Sequence, residues 1–406
     1  MWSVSPFAAE AAGNAANFAP QVRIADCTLR DGEQQAGIVL TRQDKVDIAR
    51  ALDAAGVYEI EAGTPVVSEE DRAAIEEIAG AGLRARVSAL ARARKDDVDK
   101  VAACGAWGVR ISLPISDIQR ESKTRLSDDE YLRLAIDITA YAKERGLTCI
   151  FSPYDTTRCD LAFLRRVIGE LARRKTVDRV RIVDTTGCGT PHVIRFLVRQ
   201  MKEAGDIPIE IHCHNDFGLA VMNTIAGAEA GAEYLSVTVN GIGERAGNAA
   251  LEEVALALRI LFGVDTGIDT KQLYALSKLV EERTGIHLQQ HKAVVGPGAF
   301  SHESGMVVAS LLKNPFTAES YTPELVGRER SIILGKKSGL VSVQAKLKAL
   351  SIPASADQAQ ELLNWVKAEA IRTKRPVADD AFKAQAQQVI SNSRSAATEQ
   401  HTNREE

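Results

Sequence analysis

The sequence lacks three features: a long apolar run, closely spaced cysteine pairs, and an excess of charge of one sign. The 406 residues carry 50 basic and 54 acidic side chains, which are interspersed and leave a formal net charge of −4. Nucleic-acid binding calls for a basic patch or stripe, so this balance predicts no nucleic-acid partner. No stretch approaches the roughly 20 consecutive apolar residues that cross a bilayer, and we expect no membrane partner.

The six cysteines are scattered along the chain without any CxxC pair. This distribution is typical of reduced, buried thiols in a cytosolic protein. The first 20 residues lack the basic start and compact apolar core of a signal peptide, so we interpret residues 1–20 as a flexible leader. These absences together predict a cytoplasmic protein.

Between about residues 22 and 262, short β-branched runs alternate with amphipathic stretches, which is the pattern of βα units. The eight strand candidates begin at Val22, Val57, Arg84, Gly108, Leu147, Arg179, Ile207 and Tyr234. Eight strands close a (β/α)8 barrel, whereas a doubly wound open sheet is the competing arrangement. Polar clusters follow nearly every strand, and TIM barrels gather their active-site groups at the carboxyl ends of the strands. We therefore predict an α/β protein with a TIM barrel over residues 21–265.

The pattern changes after the eighth strand. Residues 266–385 are mostly helical, with a Gly-rich polar loop, HKAVVGPGAFSHESG, and we predict that they form a helical C-terminal extension. Residues 386–406 are polar with few apolar side chains, so we expect a disordered tail.

The strongest local signal is the pair His212 and His214 at the end of the seventh strand. Because side chains alternate along a strand, both imidazoles lie on the same face. Two imidazoles at the mouth of a barrel suit a divalent metal. An isolated HxH motif is weak by itself, but Asn215 and Asp216 follow it directly.

A second polar cluster, residues 30–34, closes the first strand. Asp31 offers a carboxylate ligand, and Arg30 offers a guanidinium that can bind a developing oxyanion. The first, seventh and eighth strands are near neighbours in a closed barrel, so Asp31 can meet the two histidines. The Gly-rich segment after the eighth strand adds Asn248 as an oxygen ligand, and it lacks the βαβ context of a dinucleotide site.

Two further clusters are candidate substrate contacts. Residues 184–187 offer hydroxyls and backbone donors suited to a carboxylate, although a simple turn explains the same residues. A set of polar side chains in or after the fourth strand either binds the far end of a substrate or forms a solvated loop; it comprises Ser112, Ser116, Asp117, Arg120 and Arg125.

Taken together, these residues resemble the DRE-TIM metallolyase superfamily, and specifically the homocitrate synthase and 2-isopropylmalate synthase family. The resemblance runs from about residue 26 to residue 339, and its motifs are DCTLRDGEQ, SLPISDIQ, FSPxDxxR, HCHNDFGLA, NGIGERAGNAALEEV, HKAVVGPGAFSHESG, LLKNPFTAES, PELVGRER and LGKKSG. Isopropylmalate synthases of this family carry a long C-terminal feedback domain, for which the chain after LGKKSG is too short. The compact plan looks most like the homocitrate synthases of nitrogen fixation.

The resemblance implies a Claisen condensation of acetyl-CoA, the co-substrate, with a 2-oxo acid, and 2-oxoglutarate is the first choice. The metal ligands that it implies are Asp31, His212, His214 and Asn248, holding Mg2+ or Mn2+, with Zn2+ or Co2+ as alternatives. Arg30 would polarise the keto oxygen and Thr185 would hold the carboxylate. Gln34, Ser116 and Glu244 are the remaining substrate-binding candidates. A homodimer is also implied, in which the loop around His302 covers an active site.

Two positions depart from the family pattern. Tyr154 replaces a catalytic glutamate, and Val307 replaces a histidine that is an acid/base candidate. Loss of one member of such a pair typically lowers the rate by roughly 10²–10⁴-fold. Tyr154 or His302 then carries the proton, the donor or acceptor differs, or the chemistry needs only the metal and Arg30.

Several functions therefore stand open. They are a homocitrate synthase-like acyltransferase, an isopropylmalate, citramalate or alkylmalate synthase, a metal-dependent lyase or aldolase, and a non-catalytic homologue.

Overall fold

This computed structural model describes residues 2–8 and 17–402. Residues 1 and 9–16 of the predicted leader, and residues 403–406 of the predicted tail, lie outside the described residues. The described part of the chain separates into two compact units. The larger runs from Val4 to Leu288 and includes Ala293–Val295.

Eight parallel strands in sequential order form a closed barrel, which confirms the predicted TIM-barrel class. The strands are β1 (Arg23–Asp26), β2 (Glu59–Glu61), β3 (Arg86–Arg92), β4 (Gly108–Pro114), β5 (Thr148–Tyr154), β6 (Arg179–Asp184), β7 (Ile209–Cys213) and β8 (Tyr234–Val237). β1 pairs with both β2 and β8, so the sheet has no free edge. Closure brings the carboxyl ends of all eight strands to one rim.

One helix follows each strand of the larger unit, except that two helices follow β4 and two follow β8. They are α1 (Arg42–Ala54), α2 (Glu69–Gly80), α3 (Lys95–Ala103), α4 (Asp117–Lys123), α5 (Asp128–Glu144), α6 (Leu161–Arg174), α7 (Pro191–Ala204), α8 (Ala220–Glu229), α9 (Leu251–Leu261) and α10 (Leu273–Thr284). Thr41 and Ser127 start α1 and α5 with capping boxes, and Thr190 caps α7 ahead of Pro191 at its first turn. These caps satisfy backbone N–H groups at the helix starts, whereas the amphipathic spacing is the signal that predicted the helices from the sequence.

The barrel interior is charged at its centre. Glu59, Glu61 and Glu210 meet Arg110, Arg179 and Arg181 in ion pairs of 2.6–3.4 Å, and all six side chains are buried. Each buried charge thus has a partner of opposite sign. This pairing matters because an unpaired charge at such a depth would be very costly. We call this set the interior ion layer.

The smaller unit consists of Trp2 and Ser3, Gln289–Lys292 and the chain from Gly296 onward. It contains β9 (Ser301–His302) and β10 (Ser331–Ile332), which pair with each other, and the helices α11 (Gly305–Leu311), α12 (Leu340–Ala349), α13 (Ala356–Thr373) and α14 (Asp379–Thr402). Its apolar core includes Leu347, Leu362, Val366 and Phe382. The helical character matches the prediction for this region.

Helix α14 continues past residue 386, where we expected a disordered tail to begin. Ala386 is fully buried and Val389 is 3% exposed, because both pack in the core of the smaller unit. These sparse apolar residues repeat at helical spacing, which the polar composition of the segment obscured. The expected domain boundaries otherwise stay predictions.

Among the described residues, no helix combines the length and the apolar character needed to cross a membrane.

Candidate active site

Three of the predicted metal ligands lie together at the carboxyl end of the barrel. Asp31, His212 and His214 each offer one ligand atom, and these atoms lie within 4.8 Å of one another. Nε2 of His212 is 3.5 Å from Oδ2 of Asp31, and Nε2 of His214 is 4.0 Å from the same oxygen. All three side chains are buried. Two imidazole nitrogens and a carboxylate oxygen are a ligand set that divalent metals use.

The backbone explains why these residues converge. The N–H groups of Arg30, Asp31 and Gly32 all donate to the carbonyl of Cys27, so the chain turns tightly just after β1 and directs Asp31 inward. His212 ends the inward face of β7, and His214 pairs through its backbone with Asn248. The turn, the strand end and the β8 loop thus meet at one point.

Asn248 completes the set by its position. Its Nδ2 donates to Oδ1 of Asp31 at 2.8 Å, while its Oδ1 is buried and has no hydrogen-bond partner among the described residues. Nδ1 of His214 is likewise buried without a partner in the described chain. A buried acceptor without a donor costs roughly 1–3 kcal/mol. A cation bound beside Asn248 would remove that cost, so the residues present fit a divalent metal.

The electrostatics keep the ligands in their binding forms. Burial alone raises the pKa of Asp31, but Arg30 and the two imidazoles outweigh it and hold that pKa well below its usual range. Burial lowers the pKa of His212, against the opposing effect of Asp31. Burial, and then the neighbouring His212, lower the pKa of His214 to about 4. At neutral pH the site therefore presents a carboxylate and two neutral imidazoles.

Arg30 is fixed between two carboxylates. Its Nη1 is 2.5 Å from Oδ2 of Asp31, its Nε is 2.6 Å from Oε1 of Glu61, and the same Nη1 reaches Oε1 of Gln34 at 3.4 Å. Glu61 belongs to the interior ion layer and also binds Arg181 at 2.8 Å. Burial raises the pKa of Glu61, but the positive charges of Arg30, Arg181 and Arg110 lower it by more than burial raises it. The pKa of Glu61 is therefore below its usual value, and the carboxyl is ionised.

Glu61 is a residue that the sequence interpretation missed. The available signal was the period-2 placement of charged residues within otherwise apolar strands, Glu59 and Glu61 in β2 and Arg179 and Arg181 in β6. Such alternation places both members of each pair on one face.

Thr185 and Ser116 lie at the same rim and share a partner, Asp155. The backbone N–H of Asp155 donates to Oγ1 of Thr185 at 2.7 Å, and the Ser116 hydroxyl donates to the Asp155 carboxylate. Asp155 is fully buried and adopts a left-handed backbone conformation, with φ 64°. The hydroxyl proton of Ser116 is thus engaged within the protein, and its role as a substrate ligand stays a prediction.

The other candidates lie in different surroundings. Tyr154 ends β5 at the same rim, half-buried, with Nζ of Lys123 5.0 Å from its ring centre. The backbone N–H of Glu244 approaches Oδ1 of Asp31 at 3.4 Å, while its side chain is largely exposed. Among the candidate substrate contacts in or after the fourth strand, Arg120 forms ion pairs with Asp117 and Asp128.

His302 belongs to the smaller unit. Its Nε2 is 3.1 Å from Oε1 of Glu319, and Arg330 binds both oxygens of that carboxylate at 2.7 and 2.6 Å. Val307 lies on α11 of this unit and is partly exposed. Within its own unit, His302 is therefore oriented by a carboxylate.

Comparison with known proteins adds independent findings. Residues 21–280 match the HMGL-like family, and residues 294–374 match the homocitrate synthase post-HMGL domain-like family. The chain is 43% identical over 364 residues to homocitrate synthase AksA of Methanothermobacter thermautotrophicus, which covers 90% of this chain and 92% of that protein. It is 42% identical over 378 residues to 2-isopropylmalate synthase of Methanocaldococcus jannaschii, covering 92% of this chain and 73% of that protein.

A solved structure supports the fold alone. The HMG-CoA lyase of Bacillus subtilis superposes with a TM-score of 0.60 at 19% identity, over 68% of this chain and 97% of that one.

Proposed function

This chain belongs to the HMGL-like family, in its homocitrate synthase and 2-isopropylmalate synthase branch, and on that basis we propose that it condenses acetyl-CoA with a 2-oxo acid. The observation that carries the proposal is the buried group of Asp31, His212 and His214 beside the unpartnered Oδ1 of Asn248. We propose these four residues as the ligands of a divalent metal, with Mg2+ or Mn2+ preferred because half of the set is oxygen. When bound, such a metal acts as a Lewis acid on the keto carbonyl.

In the proposed reaction, the methyl carbon of acetyl-CoA loses a proton and bonds to the keto carbon of the 2-oxo acid. The keto oxygen gains a proton and becomes a hydroxyl. Water then breaks the thioester C–S bond, which releases CoA and leaves a carboxylate on the product. The overall change is acyl transfer with hydrolysis, and no oxidant or reductant is needed.

Arg30 is proposed to stabilise the negative charge that grows on the keto oxygen. Its side chain is 9% exposed and two carboxylates hold its guanidinium, so the group is fixed before the substrate arrives. A charge held in place costs no reorganisation during the reaction. Gln34, in contact with Arg30, borders the same place.

Thr185 is proposed to bind the carboxylate of the 2-oxo acid. Its Oγ1 already accepts the N–H of Asp155, so the hydroxyl proton is left for an acceptor that arrives with the substrate. Because the Asp155 N–H occupies one side of Oγ1, the Thr185 hydroxyl can donate its proton toward the carboxylate of the substrate.

Tyr154 is proposed as the proton-transfer group on the barrel, since the residue ends β5 at the rim that carries the metal ligands. His302 is the alternative. Its ring is oriented by Glu319, and a backbone carbonyl or a carboxylate often orients a functional histidine in this way. Tyr154 and Val307 also favour a second candidate function, a metal-dependent lyase or aldolase, which would retain the metal ligands and Arg30.

We propose 2-oxoglutarate as the first acceptor to test, with the 2-oxo acids of isopropylmalate, citramalate and alkylmalate synthases next. A homodimer and a cytoplasmic location are further proposals. The six free cysteines support the second, since four of them are buried thiols.

The test is release of CoA by purified protein supplied with acetyl-CoA and Mg2+ or Mn2+. Five acceptors are compared: 2-oxoglutarate, 2-oxoisovalerate, pyruvate, oxaloacetate and phosphonopyruvate. We expect turnover on one of them and none in His212→Ala. If the metal-bound protein releases no CoA with any of the five acceptors, the synthase activity is contradicted. Cleavage of 2-hydroxy acids or of their CoA esters would then be tested.

A further inference from the structure

Arg245 joins three loops at the rim of the barrel. It lies after β8, and its Nε and Nη2 donate to Oδ1 and Oδ2 of Asp216 at 2.8 and 2.9 Å. The same Nη2 donates to the backbone carbonyl of Thr185 at 2.7 Å. Asp216 follows β7 and Thr185 follows β6, so one guanidinium bridges the ends of three successive strands. We call these contacts the Arg245 bridge.

The backbone at Arg245 indicates that the geometry is held by its surroundings. Its φ is 61°, in the left-handed region that side-chain-bearing residues rarely adopt. The neighbouring Gly243 also has positive φ, and a Cβ there would lie 2.0 Å from Nδ2 of Asn248. A strained turn persists where several contacts determine it, and the side chain of Arg245 provides three of them.

The Arg245 bridge adjoins the proposed substrate and metal contacts on both sides. Asp216 is two residues beyond His214, and Gly187 packs so closely on Asp216 that a Cβ would lie 2.6 Å from its Oδ2. Glu244, the residue before Arg245, directs its N–H at Oδ1 of Asp31 across 3.4 Å. The loop that carries Thr185 is thus connected through Arg245 to the loops that carry His214 and Asn248.

We propose that Arg245 is a positioning residue, which sets the distance between the Thr185 loop and the metal ligands and thereby the affinity for the 2-oxo acid. The inference deepens the proposed function and rests on it. Arg245 itself need not touch the substrate. Its fork binds two carboxylate oxygens and a carbonyl together, which a single ammonium group cannot do in the same geometry.

The decisive comparison uses Arg245→Lys, which keeps the charge, and Arg245→Gly, which keeps the left-handed backbone. In both we expect KM for the 2-oxo acid to rise about 10–100-fold, since small misplacements of a binding group have effects of that size, with kcat changed less than about 3-fold. Asp216→Asn should raise KM in the same direction. Lys175→Gly is the matched control, because Lys175 is also left-handed, with φ 56°, and ends α6 at the opposite end of the barrel.

Two further readouts separate positioning from stability and from the reaction itself. The melting temperature should hardly move, because the Arg245–Asp216 pair is partly exposed and such pairs contribute little. Amide hydrogen exchange over residues 185–189 should accelerate about 10-fold or more in Arg245→Lys and not in Lys175→Gly.

These outcomes are distinguishable from failure of the proposed function. If the native chain turns over none of the 2-oxo acids, the proposed function fails, while faster exchange in Arg245→Lys still supports the bridge. Unchanged exchange over residues 185–189 overturns the positioning role, as does an unchanged KM in an active enzyme. A fall in kcat alone, with KM unaltered, also overturns it.

Discussion

Nε of Arg30 lies 2.6 Å from Oε1 of Glu61, and this contact joins the rim of the barrel to its charged centre. Arg30 also binds Asp31, so a proposed metal ligand, a proposed oxyanion donor and the interior ion layer form one connected set. Removal of a single member leaves the others with unmatched charge in a buried place. The first prediction follows from this connection.

Glu61→Gln should destabilise the protein and lower kcat. The change leaves Arg30, Arg110 and Arg181 short of one negative charge, and loss of one partner in a buried ion pair typically costs about 3–5 kcal/mol. Chemical denaturation and CoA release measure the two effects. Glu69→Gln, in an exposed pair with Arg72, is the control and should change neither. Native stability in Glu61→Gln would show that the layer tolerates an unmatched charge.

His212→Ala should abolish metal binding. It removes a buried imidazole from the group that faces Asp31, and the remaining ligands are too few for a closed site. Calorimetric titration with Mn2+ checks this directly, without any substrate. His192→Ala on the exposed face of α7 serves as control. Tight Mn2+ binding in His212→Ala would remove the metal hypothesis.

Ser236→Ala should weaken metal affinity about 10–100-fold, which is the usual effect of losing a hydrogen bond to a metal-binding histidine. Oγ of Ser236 lies 3.0 Å from Nδ1 of His212, where it fixes the ring and leaves Nε2 toward Asp31. The same Mn2+ titration is the measurement. Ser236→Thr retains the hydroxyl and should recover part of the affinity; an equal loss in both variants would point to packing instead.

The Asp26→Asn substitution should increase the free energy of unfolding, relative to that of the native chain, by more as the pH rises. Burial raises the pKa of Asp26 to about 7, although hydrogen bonds from Thr28 oppose it, whereas in the unfolded chain the carboxyl titrates near 3.8. Between these values the folded state binds the extra proton, so the contribution of Asp26 is complete below about pH 4 and is lost as pH rises through 7.

Asparagine does not titrate, so the free energy of unfolding of Asp26→Asn relative to the native chain should increase by about 2–3 kcal/mol from pH 5 to pH 8. Denaturant titrations at several pH values measure the difference. Asp137→Asn, at an exposed position of α5, is the matched control for the substitution itself. A flat profile for Asp26→Asn would mean that the carboxyl does not hold its proton in the folded state.

Tyr154→Phe should lower kcat by roughly 10²–10⁴-fold if its hydroxyl moves the proton, with the fold unchanged because the ring is kept. The reaction is followed by CoA release once an acceptor has been found. Tyr141→Phe, whose hydroxyl binds Asp99 on the outer surface, is the matched control. Full activity in Tyr154→Phe would transfer the role to His302, and His302→Ala then becomes the next variant.

Much of the fold was predictable because its signals are local. The amphipathic spacing of the helices, the β-branched runs of the strands and the count of eight strands depend on neighbours in the chain. The convergence of Asp31 with His212 and His214 followed from barrel closure, which makes the ends of β1, β7 and β8 neighbours. No pairwise contact had to be known in advance.

The roles of Glu61, Asp155 and Arg245 were not predicted, since each depends on a side-chain contact between distant parts of the chain. The Arg245 bridge spans 60 residues to Thr185, and no pattern near Arg245 indicates it. The continuation of helix α14 past residue 386 was missed for a related reason: Phe382, Ala386 and Val389 pack in the core of the smaller unit, and so few apolar residues do not stand out in a polar segment.

The interior ion layer has a consequence for how such sequences diverge. Glu59, Glu61 and Glu210 balance Arg110, Arg179 and Arg181, and all six side chains are buried, where a mismatch of charge is screened little. A substitution that removes one of these charges leaves an opposite charge unpaired, so a second substitution that removes this unpaired charge should soon follow. Replacement of the whole set by apolar residues need not be harmful. Substitutions at these six positions should therefore occur together in related sequences. Residues in the loops at the rim can instead be substituted one at a time, and substrate preference can change with them.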